Sequence, residues 1–114
     1  MGPYSALVRA NGFVFISGQV AIEPSSGERV DGDVTAQATR VMDNIAAMLG
    51  DVGLTTANVV KTTIFLADIN DFAAVNEVYG GHFTDHPPAR STFQVGALPG
   101  GFLVEIEVIA VEQL

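Results

Sequence analysis

The chain has 114 residues, 48% of them apolar and 16% charged, with 13 acidic residues against 5 basic ones and a net charge of −8. That length fits one domain, and the scattered Arg9, Arg29, Arg40, Lys61 and Arg90 exclude the clustered cations that nucleic acid or an anionic membrane requires. Without cysteine there is neither a disulfide framework nor a thiolate metal centre, and without an apolar run of ~18 residues or a basic leader the expected compartment is the cytoplasm.

In chain order, residues 4–10 read as a first strand, and Asn11-Gly12 is a hairpin signal. Residues 13–17 form the second strand, ended by Gly18, and Pro24-Ser25-Ser26-Gly27-Glu28 is a turn. Val34, Ala38, Val41, Ile45, Met48 and Leu49 recur at three and four, which predicts a helix from Asp33 to about Leu49. The β-branched run 58–66 is a third strand. Residues 71–83 form a second helix with Phe72, Val75, Val78 and Tyr79 as its apolar stripe and Asn70 or Asp71 as its cap. Pro87-Pro88 forces an extended entry into strands 89–95 and 102–111, which a glycine-rich connection at 96–101 joins.

The order is β-β-α-β-α-β-β. Two helices cover one face of a five-stranded sheet and leave the other open. That face is not polar: Phe13 and Phe15 alternate with Val14 and Ile16, and Lys61, Thr63 and Phe65 with Thr62, Ile64 and Leu66. The charged share is also below the usual ~25%. A partner subunit is expected to cover the open face, with polar residues there at subunit boundaries.

Three charges interrupt the last two strands. Period two puts Arg90, Thr92 and Gln94 on one face and Ala89, Ser91, Phe93 and Val95 on the other. With the apolar set toward the helices, Arg90 faces the interface, where its planar fork suits a carboxylate or an ion pair. Glu105 and Glu107 share a face with Leu103 and Ile109; they either blunt an edge strand or hold one carboxylate at a raised pKa. Tyr4, Ser17, Gln19 and Asn76 are hydrogen-bonding candidates, and a backbone amide near Gly18 is open to a ligand; each also fits a structural role. His82 and His86 beside Asp85 make no recognisable metal spacing. Lys61 either snorkels, pairs or forms a Schiff base. No phosphate-loop pattern is present.

Gly2-Pro3-Tyr4-Ser5, Phe15-Ile16-Ser17-Gly18-Gln19, Val60-Lys61-Thr62-Thr63-Ile64-Phe65-Leu66, Asn70-Asp71-Phe72-Ala73-Ala74-Val75-Asn76, Pro88-Ala89-Arg90-Ser91 and Val104-Glu105-Ile106-Glu107 together resemble the RidA family, also called YjgF, over almost the whole chain. The resemblance implies a chorismate-mutase-like α+β sandwich, a homotrimer with a central β-barrel, and clefts between neighbours. It implies hydrolysis of 2-imino or 2-enamino acids to 2-keto acids and ammonia with no cofactor and no metal. Arg90 matches the carboxylate-binding arginine and Glu105, rather than Glu107, the water-handling glutamate. Tyr4, Ser17 and Asn76 match the cleft residues, and Thr92 stands where many relatives have cysteine. A non-catalytic carboxylate-binding trimer is the alternative. A ribonuclease or translation inhibitor fits the charge poorly.

Overall fold

A computed structural model describes residues 2–114. The predicted order holds: β1 (Leu7–Ala10), β2 (Phe13–Gln19), α1 (Val34–Asp51), β3 (Val59–Leu66), α2 (Phe72–Gly80), β4 (Ala89–Gln94) and β5 (Val104–Val111). The strands form one sheet in the order β1-β2-β5-β3-β4. All neighbours run antiparallel except β3 and β4, which are parallel because α2 crosses between them. Asn11 and Gly12 join β1 to β2 with φ of 53° and 81°, the left-handed pair that matches the twist of a two-residue hairpin.

The ends differ from expectation. The first strand is shorter than residues 4–10; beyond Leu7, the Ser17 N–H still donates to the Ala6 carbonyl at 2.9 Å. The second strand does not stop at Ser17 but continues through Gly18 to Gln19. Asp33 caps α1, accepting from the Ala36 N–H at 2.9 Å. Neither Asn70 nor Asp71 caps α2 with its side chain; Asp68 instead caps the short turn Ile69–Asp71 that leads into it. The second helix ends at Gly80, three residues before Phe83.

The core lies between the sheet and the helices. Ala38, Val41, Met42, Ile45 and Leu49 of α1 pack with Val75 and Tyr79 of α2 onto Val14, Ile16, Ile64, Leu66, Ile106 and Val108. Two amides are buried with them and satisfied. Gln37 Oε1 accepts from the Leu103 N–H at 2.8 Å, and Asn44 Nδ2 donates to the Ile22 carbonyl at 2.7 Å. These bonds fix the approaches to β5 and the exit of β2, which border the site.

The other face of the sheet has no helix over it. Register places Val8, Phe15, Ile109 and Lys61 on one row, Glu107, Thr63 and Ser91 on the next, and Glu105, Phe65 and Phe93 on a third. Val8, Phe13, Phe15 and Phe93 are 46%, 42%, 41% and 44% exposed. Four large apolar side chains open to water on one face form the kind of patch that marks an interaction surface.

Candidate active site

The site begins with one extra residue in β2. Ile16 pairs with Val108, but Gln19 pairs with Ile106, so three steps along β2 match two along β5. Ser17 and Gly18 therefore sit in a β-bulge, a device that re-aims side chains. Ser17 Oγ donates to the Ser5 carbonyl at 2.7 Å, tying down the segment that carries Tyr4. Gln19 Nε2 donates to the Ser17 carbonyl at 2.9 Å and braces the bulge. Gly18 supplies the space: a Cβ there would stand 2.8 Å from Glu105 Cδ. The Glu105 carboxylate thus rests against bare backbone, in a cleft of about 500 Å³ lined by Tyr4, Ser17, Gly18, Val20, Phe102 and neighbouring residues. Burial pushes the Glu105 carboxyl above the ordinary carboxylate range, and the like charge of Glu107 two residues on adds to the rise. Glu107 is the more exposed of the two.

Arg90 occupies a second cluster. Its partner in the β3–β4 register is Thr62, whose hydroxyl lies 2.7 Å from the Tyr79 hydroxyl of α2. Arg90 therefore faces the helix layer, and Ser91 and Phe93 face the open side. This reverses the sequence expectation for β4. The physical reason is that both faces of this sheet are apolar. Phe93 finds an edge-on partner in Phe65, with ring centroids 5.3 Å apart, on the uncovered face. Arg90 lies at the edge strand beyond the reach of α1 and stacks on α2 instead. Its guanidinium carbon is 4.9 Å from the Tyr79 ring centroid and 5.4 Å from that of Phe72. Arg90 Nη1 donates to Asn76 Oδ1 at 2.6 Å. Phe72, Asn76 and Tyr79 are spaced at four and three, one helical face, so all three meet the same guanidinium. Asn76 is thereby explained: it holds Arg90. Tyr79 is the functional neighbour that sequence reasoning assigns only to the apolar stripe. Burial raises its pKa against the opposing pulls of Thr62 and Arg90, which keeps the phenol neutral.

Arg90 forms no ion pair among the described residues, whereas Arg9 pairs with Glu112, Arg29 with Asp31 and Arg40 with Glu23. Its Nε–Nη2 edge is thus available for a planar anion. Arg90 and Glu105 do not meet within one chain. They point from opposite faces of the sheet, on strands separated by β3 and so about 9–10 Å apart. The structure brings Tyr4, Ser17, Gly18 and Glu105 together at one cleft and Asn76 and Arg90 together in a separate side-chain cluster. Lys61 is excluded from both: its Nζ donates to Ser91 Oγ at 3.0 Å on the open face. Among the described residues no group of three or more histidine or acidic side chains is placed to hold a metal. No helix there is long and apolar enough to cross a membrane.

Two helices on one side of a five-stranded sheet, with a bulge-lined carboxylate cleft, define a chorismate-mutase-like α+β domain with a small-molecule site. Residues 1–112 match the family described as Endoribonuclease L-PSP, and the chain belongs to that family, to which the RidA-like motifs already point. It is similar to Protein DfrA of Myxococcus xanthus, 55% identical over 97% of this chain and 86% of that one. It is 48% identical to mouse 2-iminobutanoate/2-iminopropanoate deaminase over 98% of this chain and 83% of the relative. Among solved structures, YyfA of the conserved Rid protein family from Yersinia pestis superposes with a TM-score of 0.93 at 46% identity, covering 97% of this chain and 89% of that one.

Proposed function

We propose that the chain is a cofactor-independent deaminase of 2-imino and 2-enamino acids, active as a homotrimer. The observation that carries this reading is the pair of half-sites: an oriented guanidinium with no carboxylate partner among the described residues and a carboxylate of raised pKa, on opposite faces of one sheet. In the proposed trimer the open apolar faces of three copies pack about a common axis; that would bury Phe13, Phe15 and Phe93, which are exposed in the single chain, and would bring the Arg90 edge of one copy to the Glu105 cleft of the next. The mouse relative's named activity supports the same assignment.

The chemistry follows from the groups. Arg90 takes the substrate carboxylate bidentately, with Asn76 and the Tyr79 ring fixing its plane. The protonated imine carbon is then electrophilic without metal assistance. Glu105 accepts a proton from water as the water oxygen bonds to that carbon. The resulting carbinolamine carries hydroxyl and amine on one carbon. Glu105 returns the proton to nitrogen, the C–N bond breaks and ammonia leaves; as the keto group forms, Glu105 takes the hydroxyl proton and passes it to the departing ammonia. Iminium and water thus give 2-keto acid and ammonium. Burial raises the proton affinity of this carboxyl, which makes it a stronger base toward water than an exposed carboxylate. Tyr4 and the Gly18 backbone line the water side of the cleft, and Ser17 holds Tyr4's segment in place.

RNA is a poor partner for this surface. Three of the five basic side chains are already neutralised by Glu112, Asp31 and Glu23, and no row of free cations is left to track phosphates. The test is release of ammonia and 2-keto acid from 2-iminobutanoate generated in situ. Wild type accelerates release over the spontaneous rate, and Glu105→Gln lowers kcat by roughly 10²–10⁴ with the fold retained. No acceleration by the wild-type protein overturns the reading.

A further inference from the structure

An imine carbon has three substituents, and the reading above accounts for two. A second copy's Arg90 takes the carboxylate, and Glu105 serves water and nitrogen. The side chain is left with the remaining wall of the cleft. That wall is Val20, Ile22, Pro99 and Phe102, all apolar.

It is assembled from two segments that need an outside tie. Residues 20–30 form a hairpin in which Ile22 bridges Arg29 and Val30 N–H donates to the Ala21 carbonyl at 2.8 Å. Asn44 of α1 holds the Ile22 carbonyl and accepts in turn from Arg40 Nε at 3.0 Å. The second segment is the turn Pro99–Gly101 that leads to Phe102. Arg29 reaches from the hairpin and lays its guanidinium 4.2 Å from the centroid of the Phe102 ring. Asp31 accepts from Arg29 Nε at 2.6 Å and sets its orientation. At the ring's edge Gly100 leaves only backbone: a Cβ there would stand 2.9 Å from Phe102 Cε2. Phe102 is thus held by a cation above and a glycine beside it.

We infer that this clamped wall is a side-chain pocket that selects imines with branched aliphatic or aromatic side chains over the imine of alanine. The inference rests on the deaminase reading. Arg29 already neutralises Asp31 and stacks on Phe102, so an acidic side chain meets no spare cation there. The four apolar residues of the wall offer more surface than a methyl side chain can cover. An apolar pocket discriminates by about 10–200-fold per methylene.

The test compares kcat/KM for the imines of leucine, phenylalanine and alanine, generated in situ and followed as 2-keto acid. Wild type favours the two bulky imines by about tenfold or more. Ile22→Asp, at a position 37% exposed and therefore tolerant of change, raises KM for those two more than for the alanine imine. Arg29 is a positioning residue: Arg29→Ala erodes the preference mainly through KM, and Arg29→Lys, which keeps a cation over the ring, restores much of it. Equal rates on all three imines, with Ile22→Asp matching wild type, overturn the pocket and leave the deaminase reading standing. Failure to hydrolyse any of the three overturns both.

Discussion

Replacing Gly18 by alanine separates the site from the scaffold. Gly18 is outside the left-handed region that alanine resists, so the backbone accepts the change. The new methyl would stand 2.8 Å from Glu105 Cδ and 3.0 Å from Cγ, and closer still to Oε2, where ordinary contact begins near 3.4 Å. The obstacle is the end of a flexible side chain rather than backbone. The carboxylate therefore swings aside by about an ångström while the sheet stays in place. A displacement of that size in an oriented reacting group costs on the order of 100-fold in rate, or about 2.7 kcal/mol of transition-state stabilisation. Steady-state ammonia release should accordingly show kcat down about 100-fold, and the thermal midpoint should move by no more than a few degrees, as for an ordinary tolerated substitution. Wild-type kcat in a folded Gly18→Ala protein would refute the claim that the carboxylate must rest on the bulge. An unfolded variant would refute the claim that only the side chain yields.

Arg90→Ala should weaken substrate binding by roughly 2–5 kcal/mol, read as KM, and Arg90→Lys should recover only part because it lacks the fork. Asn76→Ala, which only unfastens the guanidinium, should raise KM less than either. Glu107→Gln removes a charge that helps raise the Glu105 pKa, so the acid limb of the kcat/KM profile should move to lower pH with little change in the plateau rate. The raised Glu105 pKa also means the folded state binds its proton more tightly than the unfolded chain. Stability should therefore fall as pH rises from the ordinary carboxylate range through the raised pKa, and Glu105→Gln should remove that fall in thermal melts. Phe15→Asp puts a charge on the open face, and light scattering should report a monomer for it against the trimer proposed for wild type.

Much of the fold is legible because its signals are local. Asn11-Gly12 needs only its own dihedrals, and the α1 stripe needs only its period; even so, the stripe includes Met48, which is half-buried against the core, and omits Met42, which is fully buried. The alternation of β4 is legible too, but not which face is inward. Polarity chooses the inner face only when one face of a sheet meets water, and here the uncovered face carries Phe13, Phe15, Phe65 and Phe93. Arg90 is consequently assigned to the wrong layer by alternation, although its candidacy as a site residue stands. The bulge at Ser17-Gly18 is invisible for a different reason. A Ser-Gly pair at the end of an apolar run reads as a stop, and only the register of β5 shows that the strand goes on with a residue to spare. Tyr79 looks like core because it is core; its second role depends on an arginine that reaches it through β4.

The placement of Arg90 and Glu105 on opposite sides of one sheet means that, in the proposed trimer, no chain owns an active site. Each cleft is inherited from two chains, so a defect in one half can be offset by a neighbour with the other half intact. Arg90→Ala and Glu105→Gln chains, each inert alone, would regain one complete cleft in every mixed ring, and random mixing would return about a quarter of full activity. A site contained within one chain would return nothing. The same geometry lets a population carry two silent alleles that are harmless together, and it ties activity to subunit concentration, because a lone chain in dilute solution holds both catalytic groups and can use neither.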